Sequence, residues 1–340
     1  MPDDSLTLEQ IRNALSASGN PWEAGETYLS SLPHNVQLQY LGKTPAPDEA
    51  GIDEIEKHVL MNKEILRAEA INAISVPTVY DLRNVNGNNF VTEVKNQGAC
   101  TSCVAFGTIA TMESTLLVQN NNPDYSLDLS EADLFFCHGP ATCSRGWWET
   151  EAYEALKFKG IVDEKCYPYN SGMQRRDCGW NSEYRCSYWD SNIYKITGFR
   201  KLTGPSQIKE WVSSKGPVSA SFIVYKDFYN YIGGTIYKHV IGERMDGHCV
   251  CIVGYNDDPG YWICKNSWGQ EWGDQGFFRI AYGECGIDSW DIFGVDGVEV
   301  QQTSNPKPKD AYKECVEDCE SAGMFSKEEC ETNCKNHRPR

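Results

Sequence analysis

Cysteine placement restricts this chain more than any other feature. Of fifteen cysteines, none precedes Cys100, eleven fall between Cys100 and Cys285, and four close the sequence as Cys315, Cys319, Cys330 and Cys334. So many thiols are unusual in a reducing cytosol, so an oxidising, secretory route is expected. The odd total leaves at least one thiol outside any disulfide. The break in cysteine usage divides the chain into a cysteine-free segment 1–74, a main body 75–300, a polar linker 301–307 and a tail 308–340. In the tail, each CxxxC pair places two sulfurs on one helix face. Two such helices folded antiparallel would join Cys315 to Cys334 and Cys319 to Cys330. A hairpin of that size needs such staples because it has no core of its own. The three-residue gaps argue against zinc, which favours a two-residue gap.

Apolar spacing sketches the rest. Leu6, Leu8, Ile11 and Leu15 predict a short helix with Thr7 as its cap, and residues 52–74 predict a second. Between them lie Trp22-Glu23-Ala24-Gly25 and Leu41-Gly42. In the body, Ala105–Leu117 and Trp148–Lys159 read as helices, the latter stopped by Gly160, and Ser130-Glu131-Ala132-Asp133 reads as a helix start. Pro217–Val224, His248–Tyr255, Tyr261–Lys265 and Gly276–Ala281 read as strands, with Asn256–Gly260 as a hairpin connection. A helical half thus precedes a β-rich half, an α+β pattern with a cleft expected between the two. A net charge of −17 argues against nucleic acid and anionic membrane surfaces as partners. No run reaches transmembrane length. Met1–Gln10 lacks the apolar core of a signal peptide, so none is visible. A soluble monomer is expected.

The stretch Gln97–Phe106 carries the chemistry. Cys103 stands just ahead of a predicted helix, whose N-terminus favours a thiolate. A thiol nucleophile needs a base, and the base needs an orienting group. His248 and Asn266 are the candidates, and one predicted hairpin carries both.

Five stretches (Asn96–Phe106, Leu129–Cys137, Gly247–Tyr255, Lys265–Trp272 and Cys285-Gly286-Ile287) resemble papain-like cysteine peptidases, the cathepsin family, and appear in that family's order from about residue 77 to 300. The resemblance implies a two-subdomain fold with a helical left half and a β-barrel-like right half. It implies Cys103 as nucleophile, His248 as acid–base and Asn266 as its orienting partner. Gln97 would form the oxyanion hole with the Cys103 backbone N–H, and Trp268 would shield the His–Asn hydrogen bond. Neither metal nor cofactor is implied. Substrates would be proteins or peptides, held by Gly146 and flanked by Arg145. Trp147, Trp148, Cys249 and Trp290 fall where the family builds its main side-chain pocket, and the indoles predict an apolar, shallow one. Family pairing implies Cys100–Cys143 and Cys137–Cys178; apart from that pattern, Cys166 is expected to join Cys186. Cys249, Cys251, Cys264 and Cys285 stay unassigned, with Cys251 and Cys264 expected either to face each other across the hairpin or to remain buried thiols.

The segment 1–74 resembles the short propeptide of cathepsin B-like enzymes. It would act as the chain's own inhibitor, released by cleavage near Ala73–Val76, with the product acting in a lysosome or vacuole or outside the cell. No room remains between Trp148 and Cys178 for an added blocking loop, so endopeptidase action is expected. The chain departs from the family pattern at Thr101 and Val104. These two positions are the hints toward the alternative, a catalytically inactive binding or storage protein that keeps the fold.

Overall fold

A computed structural model describes residues 6–73, 76–179, 184–187 and 189–302. The helices are α1 (Leu8–Ala17), α2 (His34–Gln37), α3 (Ile52–Ile71), α4 (Cys103–Gln119), α5 (Glu149–Phe158), α6 (Tyr169–Arg175) and α7 (Gly204–Ser214). The strands are β1 (Val79–Asp81), β2 (Asn192–Lys201), β3 (Val218–Tyr225), β4 (Ile236–Tyr237), β5 (Arg244–Asn256), β6 (Tyr261–Lys265), β7 (Phe277–Ala281) and β8 (Ile292–Gln302). They form one sheet in the order β2-β8-β3-β5-β6-β7-β4, with β1 added to β5. Among the described strands every pairing is antiparallel except β4 with β7.

Two cores share α4. Phe106, Ile109, Met112 and Leu116 pack toward the helical side with Leu134, Phe135, Tyr153 and Leu156. Ala110 and Leu117 pack toward the sheet side with Val250, Ile252, Trp268 and Trp272. A helix apolar on all faces has no solvent side and must run through the interior. That placement fixes its N-terminus between the two halves. Gly107 makes the close approach possible, since a Cβ there would lie 2.6 Å from Cys249 Sγ. Alanine in place of glycine usually stabilises a helix interior by about 1 kcal/mol. Here overpacking, about 1–3 kcal/mol, outweighs that gain. Gly107→Ala is therefore expected to lower the midpoint of thermal unfolding, and an unchanged or raised midpoint would contradict this packing.

The predicted helices and strands lie where the periodicity puts them. Thr7 closes a reciprocal capping box with Gln10 on α1. Residues 130–138 differ: Ser130 Oγ accepts from Asp133 N at 3.0 Å, but the turn it leads into, Asp133–His138, is wide and π-helical. Strands β2 and β8 and helix α7 were not anticipated. Cys100–Cys143, Cys137–Cys178 and Cys166–Cys186 are disulfides, while Cys103, Cys249, Cys251, Cys264 and Cys285 are buried free thiols. Cys251 lies opposite Lys265, and Cys264 opposite Ile252, so the two sulfurs do not face each other across the hairpin. The tail with Cys315, Cys319, Cys330 and Cys334 lies outside the described residues. Among the described residues no helix is long and apolar enough to cross a membrane.

Candidate active site

The loop before α4 is held from three sides. Disulfide Cys100–Cys143 ties it to the helical half. Tyr169 Oη donates to the Gln97 carbonyl at 2.9 Å and shares a 2.6 Å hydrogen bond with Ser102 Oγ. Gln97 N donates to the Ser267 carbonyl at 2.9 Å. The Gln97 carboxamide is fixed at both ends: Oε1 accepts from Ser267 Oγ at 2.6 Å and Nε2 donates to the Cys100 carbonyl at 2.8 Å. One N–H of that amide group is left over by valence. Cys103 is the first residue of α4, with 0% of its surface exposed, and the Cys249 backbone lies near enough to its thiol to favour the thiolate.

Cys249 is the neighbour of His248 on β5, so the strand that touches the thiol also carries the imidazole. His248 Nε2 lies 2.8 Å from Asn266 Oδ1. The Ser267 backbone N–H donates to the same Oδ1 at 2.8 Å, which identifies that atom as the oxygen. An amide oxygen only accepts, so the proton of neutral His248 sits on Nε2. Nδ1 is left as the basic nitrogen, with no hydrogen-bond partner among the described residues. The Trp268 indole stacks over the imidazole, centroids 4.8 Å apart and planes 30° apart, and shields the His–Asn pair.

Both side chains are shifted toward their neutral forms. Burial pushes the Cys103 thiol up to about 12, with the Cys249 backbone opposing and Glu149 and Asp246 adding to the rise. Burial likewise pushes His248 down to about 4, against its bond to Asn266. The thiolate expected at the helix N-terminus is thus suppressed, because loss of water outweighs the helix dipole. No hydrogen bond joins Cys103 to His248 among the described residues.

The N-terminal segment lies across the site. Its residues Leu41–Thr44 run through the cleft as a strand paired on both sides. Thr44 N donates to the Trp147 carbonyl at 2.9 Å, and Trp147 N donates to the Gly42 carbonyl at 2.8 Å. On the other side Lys43 N donates to the Gly247 carbonyl at 3.0 Å. Gly42 is required at this point, because a Cβ there would be driven into the Thr101 carbonyl. Farther out, Trp22 packs on Tyr231 and Tyr237 and donates to the Lys238 carbonyl at 2.8 Å. Tyr28 Oη donates to the Trp268 carbonyl at 2.7 Å, and Trp268 Nε1 donates to that of Tyr40 at 3.1 Å. Helix α3 adds Arg244 to Asp53 and Glu56, and Lys63 to Glu284.

The residues expected at the substrate site meet this strand unequally. Gly146 lies against Thr44 and the Gly42 carbonyl, with no room for a Cβ, while the hydrogen bonds come from Trp147. Arg145 is exposed, its carbonyl accepting from Thr101 Oγ1 at 3.0 Å. Trp148 is half-buried against the helical core. Trp290 and Cys249 lie beside the Lys43 side chain and Glu149, where the surroundings are charged as well as apolar. Lys43, with 0% exposure, places Nζ 2.6 Å from Asp291 Oδ2 and 2.9 Å from Glu149 Oε2. Glu149 and Asp291 went unnoticed in the sequence, although each directly follows a pocket tryptophan.

The sequence from residue 76 to 295 matches the family described as papain family cysteine protease. Among solved structures, procathepsin B S9 from Trypanosoma congolense is similar at 20% identity and a TM-score of 0.66, over 86% of this chain and 98% of that one. Digestive procathepsin L2 from Tenebrio molitor larval midgut gives 24% identity and 0.62, over 85% and 88%. The bromelain protease from Ananas comosus, in complex with the E64 inhibitor, gives 28% and 0.51, over 65% and 100%. The two procathepsin matches show the α+β papain-like fold, and with the family match over most of the body the conclusion is direct: this chain belongs to the papain family of cysteine proteases.

Proposed function

We propose that the chain is a cysteine endopeptidase made as a zymogen. The observation that carries this reading is the fixed tautomer of His248, which leaves a basic nitrogen on the strand that touches the Cys103 thiol. Once the cleft is open, His248 Nδ1 takes the thiol proton as Sγ attacks a peptide carbonyl. It then gives that proton to the leaving amine, so the amine departs and a Cys103 thioester remains. Water, deprotonated by the same nitrogen, hydrolyses the thioester. The Cys103 backbone N–H and the remaining Gln97 N–H stabilise the oxyanion at each stage. Asn266 holds the ring and touches no substrate. Asn266→Ala is expected to lower kcat/KM roughly 10²-fold, mostly through kcat. Hydrolysis of a fluorogenic peptide by the processed variant tests this, and an unchanged rate would remove Asn266 from the account.

Residues 1–74 are the propeptide in this reading and 75–300 the peptidase domain, with the cut near Ala73–Val76. The segment adds a strand to both sides of the cleft and so occupies the place of an extended peptide. Three disulfides in the described residues favour passage through an oxidising compartment. We assign the protein to the secretory pathway, ending in a lysosome or vacuole or outside the cell.

A further inference from the structure

We propose that the pocket holding Lys43 is a specificity pocket for a basic side chain, and that Lys43 is the propeptide's imitation of the lysine or arginine of a substrate. This rests on the peptidase reading above.

The pocket is built for a cation. Lys43 Nζ meets Asp291 at 2.6 Å, Glu149 at 2.9 Å and the Thr44 carbonyl at 2.9 Å, and lies 4.9 Å from the Trp290 ring centroid. The walls belong to the peptidase body: Trp147 pairs with the Lys43 backbone, and a Cβ at Gly247 would lie 2.6 Å from the Trp290 ring. Ser221 Oγ on β3 donates to the other oxygen of Glu149, fixing that carboxylate from below. Lys201, about half exposed, meets the second oxygen of Asp291 at 2.6 Å. Two carboxylates therefore face one resident lysine once the propeptide departs. A buried charge left without its partner is strongly unfavourable. Glu149 and Asp291 lie in the body that remains after processing, so the vacancy persists through the enzyme's working life. A cationic side chain on an extended peptide restores both the charge balance and the contact with Trp290.

A positional-scanning peptide library, cleaved by the processed enzyme, tests this directly. At one position within two residues of the cut bond, Lys or Arg is expected to exceed norleucine roughly 30-fold or more in kcat/KM. Glu149→Gln and Asp291→Asn, counted by thiol titration, should each lower that ratio at least about 10-fold. Rates are taken per titratable active-site thiol, so misfolded molecules drop out of the comparison, and an unmoved ratio in both variants overturns the proposal. Efficient cleavage with an apolar preference at every position overturns it too, while the peptidase reading stands. Failure to cut any library member overturns that reading, and the pocket assignment with it.

Discussion

Cys103→Ala is expected to abolish peptide hydrolysis, with a fall in kcat/KM on the order of 10⁴- to 10⁶-fold against a correctly folded control. Groups acting as one nucleophilic unit are grossly non-additive, so losing the nucleophile alone removes nearly all the acceleration. The replacement is small and apolar in a site already sealed from water, with Val104 and Phe106 packed beside it. Thermal unfolding should therefore move little while activity vanishes. The variant also separates catalysis from processing. If the chain cuts itself, Cys103→Ala should accumulate at full length under acid, and adding active enzyme should restore the cut near Ala73–Val76. Substantial residual hydrolysis by Cys103→Ala would remove this thiol from the mechanism.

The second large effect is release by acid. His248 is held near 4 while the segment covers it, below its ordinary value near 6.5. Between those values the open form binds a proton at His248 and the closed form does not. Acidification through that window therefore favours opening. A full return to the ordinary value on opening would amount to roughly 10²-fold in the open population. Cys103 acts oppositely: its raised value favours the closed form as pH falls, but only near or above its ordinary range, outside the acid window. Asp291 is held below the ordinary carboxylate range by Lys43 and Lys201, despite its burial, whereas burial raises Glu149 against the pull of Lys43, which opposes the imidazole's effect. We expect labelling of Cys103 in the full-length chain to rise roughly 10²-fold between pH 7 and pH 4.5, in excess of any change in the processed enzyme. Gly42→Val, which cannot seat beside the Thr101 carbonyl, should be labelled readily at both values. Equal labelling of wild type at the two values would contradict this route.

Much of this arrangement was legible in the sequence, for identifiable reasons. The hairpin bearing His248 and Asn266 could be read because β-branched and aromatic residues cluster on either side of a polar turn, and register then brings the two side chains together. Helix α4 could be placed from its apolar run, though nothing in a one-dimensional pattern says that it is buried on every side. Strand β2 was missed because Asn192–Lys201 mixes polar and apolar residues as an outer strand does, and its pairing with β8 is a long-range choice. The wide turn at Asp133–His138 replaces an ordinary helix where Asp133 bonds to Val162 N and Arg185, ties that local propensity cannot foresee. The acidic pocket was hidden for a similar reason. Glu149 reads as a first-turn helix residue and Asp291 as a loop acid, and only the fold brings them to the same lysine.

The proposed nucleophile is one sulfur among the five free thiols of the described residues. Treating the processed enzyme with a thiol-directed peptidyl epoxide and mapping the adduct by peptide mass spectrometry tests it most directly. The expected result is one adduct per chain, on Cys103, formed in step with loss of activity and suppressed by His248→Ala, with Cys249, Cys251, Cys264 and Cys285 unmodified. An active enzyme that loses its activity without an adduct at Cys103, or that carries that adduct and still turns over, would contradict the account.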